Sequence, residues 1–157
     1  MGPAGGALWL ADQEHLTLLS AAPGMLEANT TFTIAFDGRP NAQENLQGIN
    51  HFFYLDANAP ISGSGTVFIP GTGTLNLPIK LTLAFDRSSL HGVITDTLDL
   101  YRLGPTSWLT TDVAVLERAD NYLVAWVGHT GVYGLMGRTN RLYLPLVFRG
   151  AGGADRR

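Results

Sequence analysis

The chain has 157 residues, no cysteine, a single lysine, 19 glycines, 8 prolines and a net charge of -3. This length suits one domain with a core of its own, and the missing cysteine excludes disulfides, thiolate metal sites and cysteine nucleophiles. The negative balance and scattered basic residues argue against a nucleic-acid partner.

Taken in chain order, the N-terminal residues 1–7 are expected to be flexible. The apolar run Ala7 to Ala11 is too short for a signal-peptide core. Leu16 to Leu19 is a short apolar run, and Thr31 to Phe36 alternates with Phe32, Ile34 and Phe36 on one face. Asn41 to Gly48 reads as a polar exposed loop, with room for one helical turn over Ala42 to Gln47. Ile49 to Ala57 is aromatic-rich and β-prone, and Thr66 to Ile69 is a short strand ended by Pro70. Ile79 to Phe85 sets Ile79, Leu81, Leu83 and Phe85 against Lys80 and Thr82. Asp86 is placed as the N-cap of a turn reaching Leu90. Thr97 to Leu103, Val113 to Arg118, Tyr122 to Val127, Val132 to Met136 and Arg141 to Phe148 complete the strands. The separators are turn chemistry, among them Ala22-Pro23-Gly24, Asp37-Gly38-Arg39-Pro40 and Leu103-Gly104-Pro105. Short strands at about ten-residue spacing predict an all-β fold, an antiparallel β-sandwich of about ten strands. The domain is expected over residues 8–149, with a flexible tail over 150–157. Its core is expected to include Phe32, Ile34, Phe36, Leu81, Leu83, Phe85, Leu98, Leu100, Leu123 and Ala125.

Chemistry-bearing patterns are sparse. The histidines 15, 51, 91 and 129 form no i, i+2 or i+4 pair, so there is no local zinc motif. The aspartates 86, 96, 99, 112 and 120 do not form the D-x-D-x-D-G pattern of a calcium loop. Gly63-Ser64-Gly65 and Gly71-Thr72-Gly73-Thr74 complete neither phosphate-cradling motif and read as hairpin loops. Asn29-Thr30-Thr31 matches the N-glycosylation pattern. Trp108 and Trp126 are the candidates for stacking on a sugar face. No window approaches the ~20 apolar residues of a membrane span. No cofactor and no catalytic residue is predicted.

The candidate assembly element is the last strand. Leu142, Leu144, Leu146 and Phe148 share one face, and Tyr143 lies on the other with Pro145 and Val147. Two apolar faces and an edge proline suit either a last strand folded into the chain's own sheet or strand addition to another copy, giving a homo-oligomer or filament.

Pro78 to Asp86, Asp96 to Arg102, Trp108, Asn121 to Val127 and His129 to Gly137 follow a recognisable spacing. Together with Pro23 to Leu26, Thr31 to Phe36 and Asn50 to Asp56, they cover roughly residues 8 to 138. This pattern resembles β-sandwich modules of large secreted bacterial proteins, similar to the domain of netrin receptors, ankyrins and zonula-occludens scaffolds. The ending Arg141 to Arg149 resembles a C-terminal signature of exported proteins in the same bacteria. The resemblance implies an extracellular or cell-surface structural module used for adhesion, spacing or self-assembly, with other surface proteins or glycans as partners. A carbohydrate-binding module is the alternative. Some relatives cleave themselves at a His-Phe-Ser triplet; here the matching residues are His129-Thr130-Gly131, and Gly131 has no hydroxyl to attack with.

Overall fold

The structure is a computed structural model that describes residues 1–38, 42–43, 46–58, 66–69, 73–76 and 79–139. The described strands, in chain order, are β1 (Gly6–Ala11), β2 (His15–Ala21), β3 (Phe32–Phe36), β4 (Ala42–Gln43), β5 (Leu46–Ala57), β6 (Thr66–Ile69) and β7 (Gly73–Asn76). They continue with β8 (Ile79–Phe85), β9 (Asp99–Leu103), β10 (Trp108–Leu109), β11 (Val113–Arg118), β12 (Tyr122–Val127) and β13 (Gly131–Gly137). One sheet runs β1-β2-β8-β12-β11 and the other β10-β9-β13-β5-β3, with β4 added beside β5. All pairings are antiparallel, including a separate β6-β7 hairpin. The fold is the all-β sandwich that the strand spacing predicts.

Period-two alternation explains how the two sheets face one another. In β8, Ile79, Leu81, Leu83 and Phe85 are buried while Lys80, Thr82 and Ala84 are half-exposed. The register carries this face sideways. Leu81 lies opposite Leu19 on one side and Ala125 on the other, and Leu83 lies opposite Leu123. From the facing sheet, Phe53, Leu55, Leu100, Tyr133 and Leu135 close the core. Phe53 and Tyr133 stack with ring centroids 5.5 Å apart. Of the expected core, Leu81, Leu83, Phe85, Leu98, Leu100, Leu123 and Ala125 are buried. Phe32 and Ile34 pack against it half-buried, and Phe36 is half-buried too, because β3 is the edge of its sheet.

In residues 1–7 the Met1 nitrogen donates to the Thr30 carbonyl at 2.7 Å, and Gly24 N donates to Pro3 O at 2.8 Å. Met1 packs on the core, and β1 pairs along its whole length with β2. Ala42 to Gln47 does not form a helical turn, and Asn41 to Gly48 is not wholly a loop. Ala42 lies opposite Gln47 and Gln43 opposite Leu46, so this segment begins and ends as a hairpin. The pairing that decides the matter lies between residues, and local polarity does not report it.

The turn after β8 is as predicted. The Asp86 carboxylate accepts from Ser88 N at 2.8 Å and caps a 3-10 turn over Arg87–Leu90. A second 3-10 turn, Thr95–Thr97, leads into β9. The tail 150–157 lies outside the described residues.

Candidate functional site

β2 and β5 belong to opposite sheets, yet each brings a histidine to the core face. In β2 the alternation puts His15, Thr17, Leu19 and Ala21 inward. In β5 it puts His51 beside Phe53 and Leu55. A bulge sets this up. Gly134 lies opposite Phe52 but Met136 lies opposite Gly48, so three residues, Ile49 to His51, face the single residue Leu135. Asn50 absorbs the extra length with φ 62, a left-handed conformation that asparagine tolerates better than most residues. Its side-chain amide donates to His91 Nε2 at 3.2 Å.

The result is a polar seam between the sheets. His15 Nε2 donates to the Ile49 carbonyl at 2.9 Å, while its Nδ1 lies 3.3 Å from Asp12 Oδ1. Thr17 Oγ1 and His51 Nε2 are 2.7 Å apart, and the two imidazoles approach to 4.7 Å between centroids. His51 Nδ1 has no hydrogen-bond partner. Burial holds the His51 imidazole in its neutral form by lowering its pKa from 6.5 to about 3, and the nearby His15 adds to the effect against a weaker pull from Asp12. Burial works against the Asp12 carboxylate too. The backbone N–H groups of Glu14 and His15, with the His15 side chain, outweigh it and hold the pKa low.

A hydroxyl 2.7 Å from an imidazole has the spacing of an activated nucleophile. Thr17 and His51 are both 0% exposed, and the pair links β2 of one sheet to β5 of the other. Next to it, an open cleft of about 310 Å³ is lined by Asp12, Gln13, Glu14, His15 and Asn50. Among the described residues, no group of three or more histidine, aspartate or glutamate side chains is placed to hold a metal ion. No helix among them is long and apolar enough to cross a membrane.

The two tryptophans proposed for sugar stacking are not brought together. Trp126 lies opposite Lys80 in the β8-β12 pair, on the face of that sheet turned away from the core. Trp108 lies opposite Leu103 in the other sheet and packs on Phe52 at 5.8 Å. Phe52 can lie there because its partner across the strand is Gly134, where a Cβ would meet the Phe52 ring at 2.5 Å. Tyr101, also opposite Gly134, and Tyr54, 42% exposed, extend this aromatic surface. The separation follows from topology: residues 18 apart in sequence fall in different sheets, and neither strand's own pattern shows it.

His129 is exposed in the turn between β12 and β13, where its carbonyl accepts from the Tyr133 hydroxyl at 2.6 Å. Asp99 pairs with Arg118 at 3.1 Å, and Asp112 pairs with Arg102. The aspartates considered for calcium are therefore partly spent on ion pairs. The candidate assembly residues Leu142, Tyr143, Leu144, Leu146 and Phe148 lie outside the described residues.

The sequence reading missed the His15–His51 seam, although the signal was there. Period two places His51 on the face of Phe53 and Leu55, and His15 on the face of Thr17 and Leu19. It also missed the exposed apolar side chains of the first sheet: Trp9, 69% exposed, and Leu16, 39% exposed, at the β1-β2 edge, and at the opposite edge Leu116, set out by a bulge in β11 and 49% exposed. No family model matches this chain, and the curated proteins searched contain no match to it.

Proposed function

We propose that this sandwich is a non-catalytic structural module of a secreted or cell-surface protein, working by adhesion or self-assembly. The observation that carries the reading is where the polar and apolar groups sit. The Thr17 and His51 side chains are sealed between the sheets and joined across them, and His15 at the cleft edge is tied to the Ile49 carbonyl. Large apolar side chains, Trp9, Leu16 and Leu116, are left outside. Leu116 stands alone on β11, but Trp9 adjoins Leu16 and Leu18 on the outer face of the β1-β2 pair, and a contiguous exposed apolar patch marks a place where another surface settles. The resemblance to modules of large secreted proteins, and of the chain's ending to an export signature, supports the location. Beads coated with the protein are the test: they are expected to adhere to one another or to a cell surface, and beads that adhere to neither would overturn the reading.

Carbohydrate binding is the second reading, and the aromatic surface of Trp108, Tyr101 and Tyr54 favours it. Aromatic rings offer a face on which an apolar sugar face stacks. A glycan titration followed by tryptophan fluorescence tests it. A shift lost in Tyr54→Ala supports the reading, and no shift with any glycan rejects it.

A further inference from the structure

Among the described strands, the four edges of the two larger sheets differ in how well they are guarded against pairing with another chain. On one flank, β10 is only two residues long, and β11 carries a bulge between Val115 and Glu117 together with the charges of Glu117 and Arg118. Short length, bulges and charge are the usual protections of an edge strand. On the other flank lie β1 and, against it in the facing sheet, β3. Neither Gly6–Ala11 nor Phe32–Phe36 contains a charge or a proline. Gly6, Ala7, Trp9 and Ala11 are exposed, and Leu8 and Leu10 are only half-buried.

The sequence of β1 has a further property. Ala7-Leu8-Trp9-Leu10-Ala11 reads the same in both directions. In a two-fold antiparallel pair centred on Trp9, Ala7 meets Ala11 of the other copy, Leu8 meets Leu10, and Trp9 meets Trp9. A two-fold interface requires such self-complementarity. A charge on the axis would oppose itself; here an aromatic pair does, and cross-strand aromatic pairs stabilise sheets. Trp9 points away from the core, because its partner Leu18 does. Leu8 and Leu10 lean to the inner face, where pairing covers what β1 alone leaves half-open. We infer that β1 pairs with β1 of a second copy about a two-fold axis at Trp9, joining two five-stranded sheets into one. This inference rests on the structural-module reading and names its partner. It moves the assembly seam to the β1 edge. A seam of five residues per copy, Ala7 to Ala11, with the β3 edge beside it, lies at the small end of specific interfaces, so the dimer is weak and concentration-dependent.

The chain has no cysteine, so single cysteines report the register cleanly. Ala7→Cys mixed with Ala11→Cys is expected to oxidise to a heterodimer faster than either variant forms a homodimer, since only the mixed pair is directly opposite. In parallel, the mass of the wild type is expected to double at high concentration, while Trp9→Lys stays a monomer with an unchanged circular dichroism spectrum. Trp9 is 69% exposed, so this variant folds. Equal cross-linking in all mixtures, an associating Trp9→Lys, or a wild type that stays monomeric each overturns the inference. Beads that adhere while any of these results holds would leave the structural-module reading standing; beads that do not adhere would end both.

Discussion

Replacing His51 by glutamine should flatten the pH dependence of stability. In the folded chain, His51 is 0% exposed and its pKa is lowered to about 3, mainly by burial. In the unfolded chain the same imidazole takes a proton near its ordinary value, 6.5. Between these values the unfolded state binds one more proton, so stability falls as pH falls, by about 1.4 kcal/mol per unit. From pH 7 to pH 5 the loss from this residue is about 2 kcal/mol. Asp12 acts in a lower window. Its folded pKa lies below 3.8, so its contribution is present above that value and is lost only as pH drops further. Glutamine cannot take the proton, and its amide can still meet Thr17 Oγ1. Urea unfolding at pH 7 and pH 5, for wild type and His51→Gln, measures the difference. A wild-type loss that exceeds the variant's by about 2 kcal/mol supports the buried neutral imidazole. Equal losses would refute it, because His51 would then be open to protons in the folded state.

Gly134→Ala places a Cβ 2.5 Å from the Phe52 ring and 3.2 Å from the Trp108 indole, and should cost about 1–3 kcal/mol, seen as a lower melting temperature with altered near-ultraviolet circular dichroism. Tyr133→Phe removes the hydroxyl bound to the His129 carbonyl but keeps the stack on Phe53, so thermal unfolding should show a loss of about 1 kcal/mol. Leu81→Ala, at the centre of the first sheet's inner face, should cost about 2–5 kcal/mol by denaturant unfolding. Intact-mass spectrometry should show an unbroken chain from His129 to Gly131; cleavage there would mean that a residue other than position 131 supplies the nucleophile.

The legible strands are those that bury one face and wet the other. β8 is the clearest, since Ile79, Leu81, Leu83 and Phe85 alternate with residues that stay half-exposed. β1 lacks that contrast because an edge strand has few neighbours, so Gly6–Ala11 carries an apolar sequence that is largely exposed. The start of β5 reads as a loop for a related reason: the segment Asn41 to Gly48 is mostly polar, β4 opposite it is two residues long, and Gly137 of β13, which pairs with Gln47, is too distant in sequence for a local pattern to show. His51 sat in plain view on the apolar face of its strand. Its approach to His15, however, depends on the bulge at Asn50, and a positive φ leaves little trace in composition. The separation of Trp108 from Trp126 is a matter of sheet topology alone.

The most direct test of a surface-acting module is its mass in solution as concentration rises. Sedimentation equilibrium of the wild type should move from one chain towards two, and Trp9→Lys should remain at one. A wild type that stays at one chain at every concentration, on beads that do not adhere, would contradict the account.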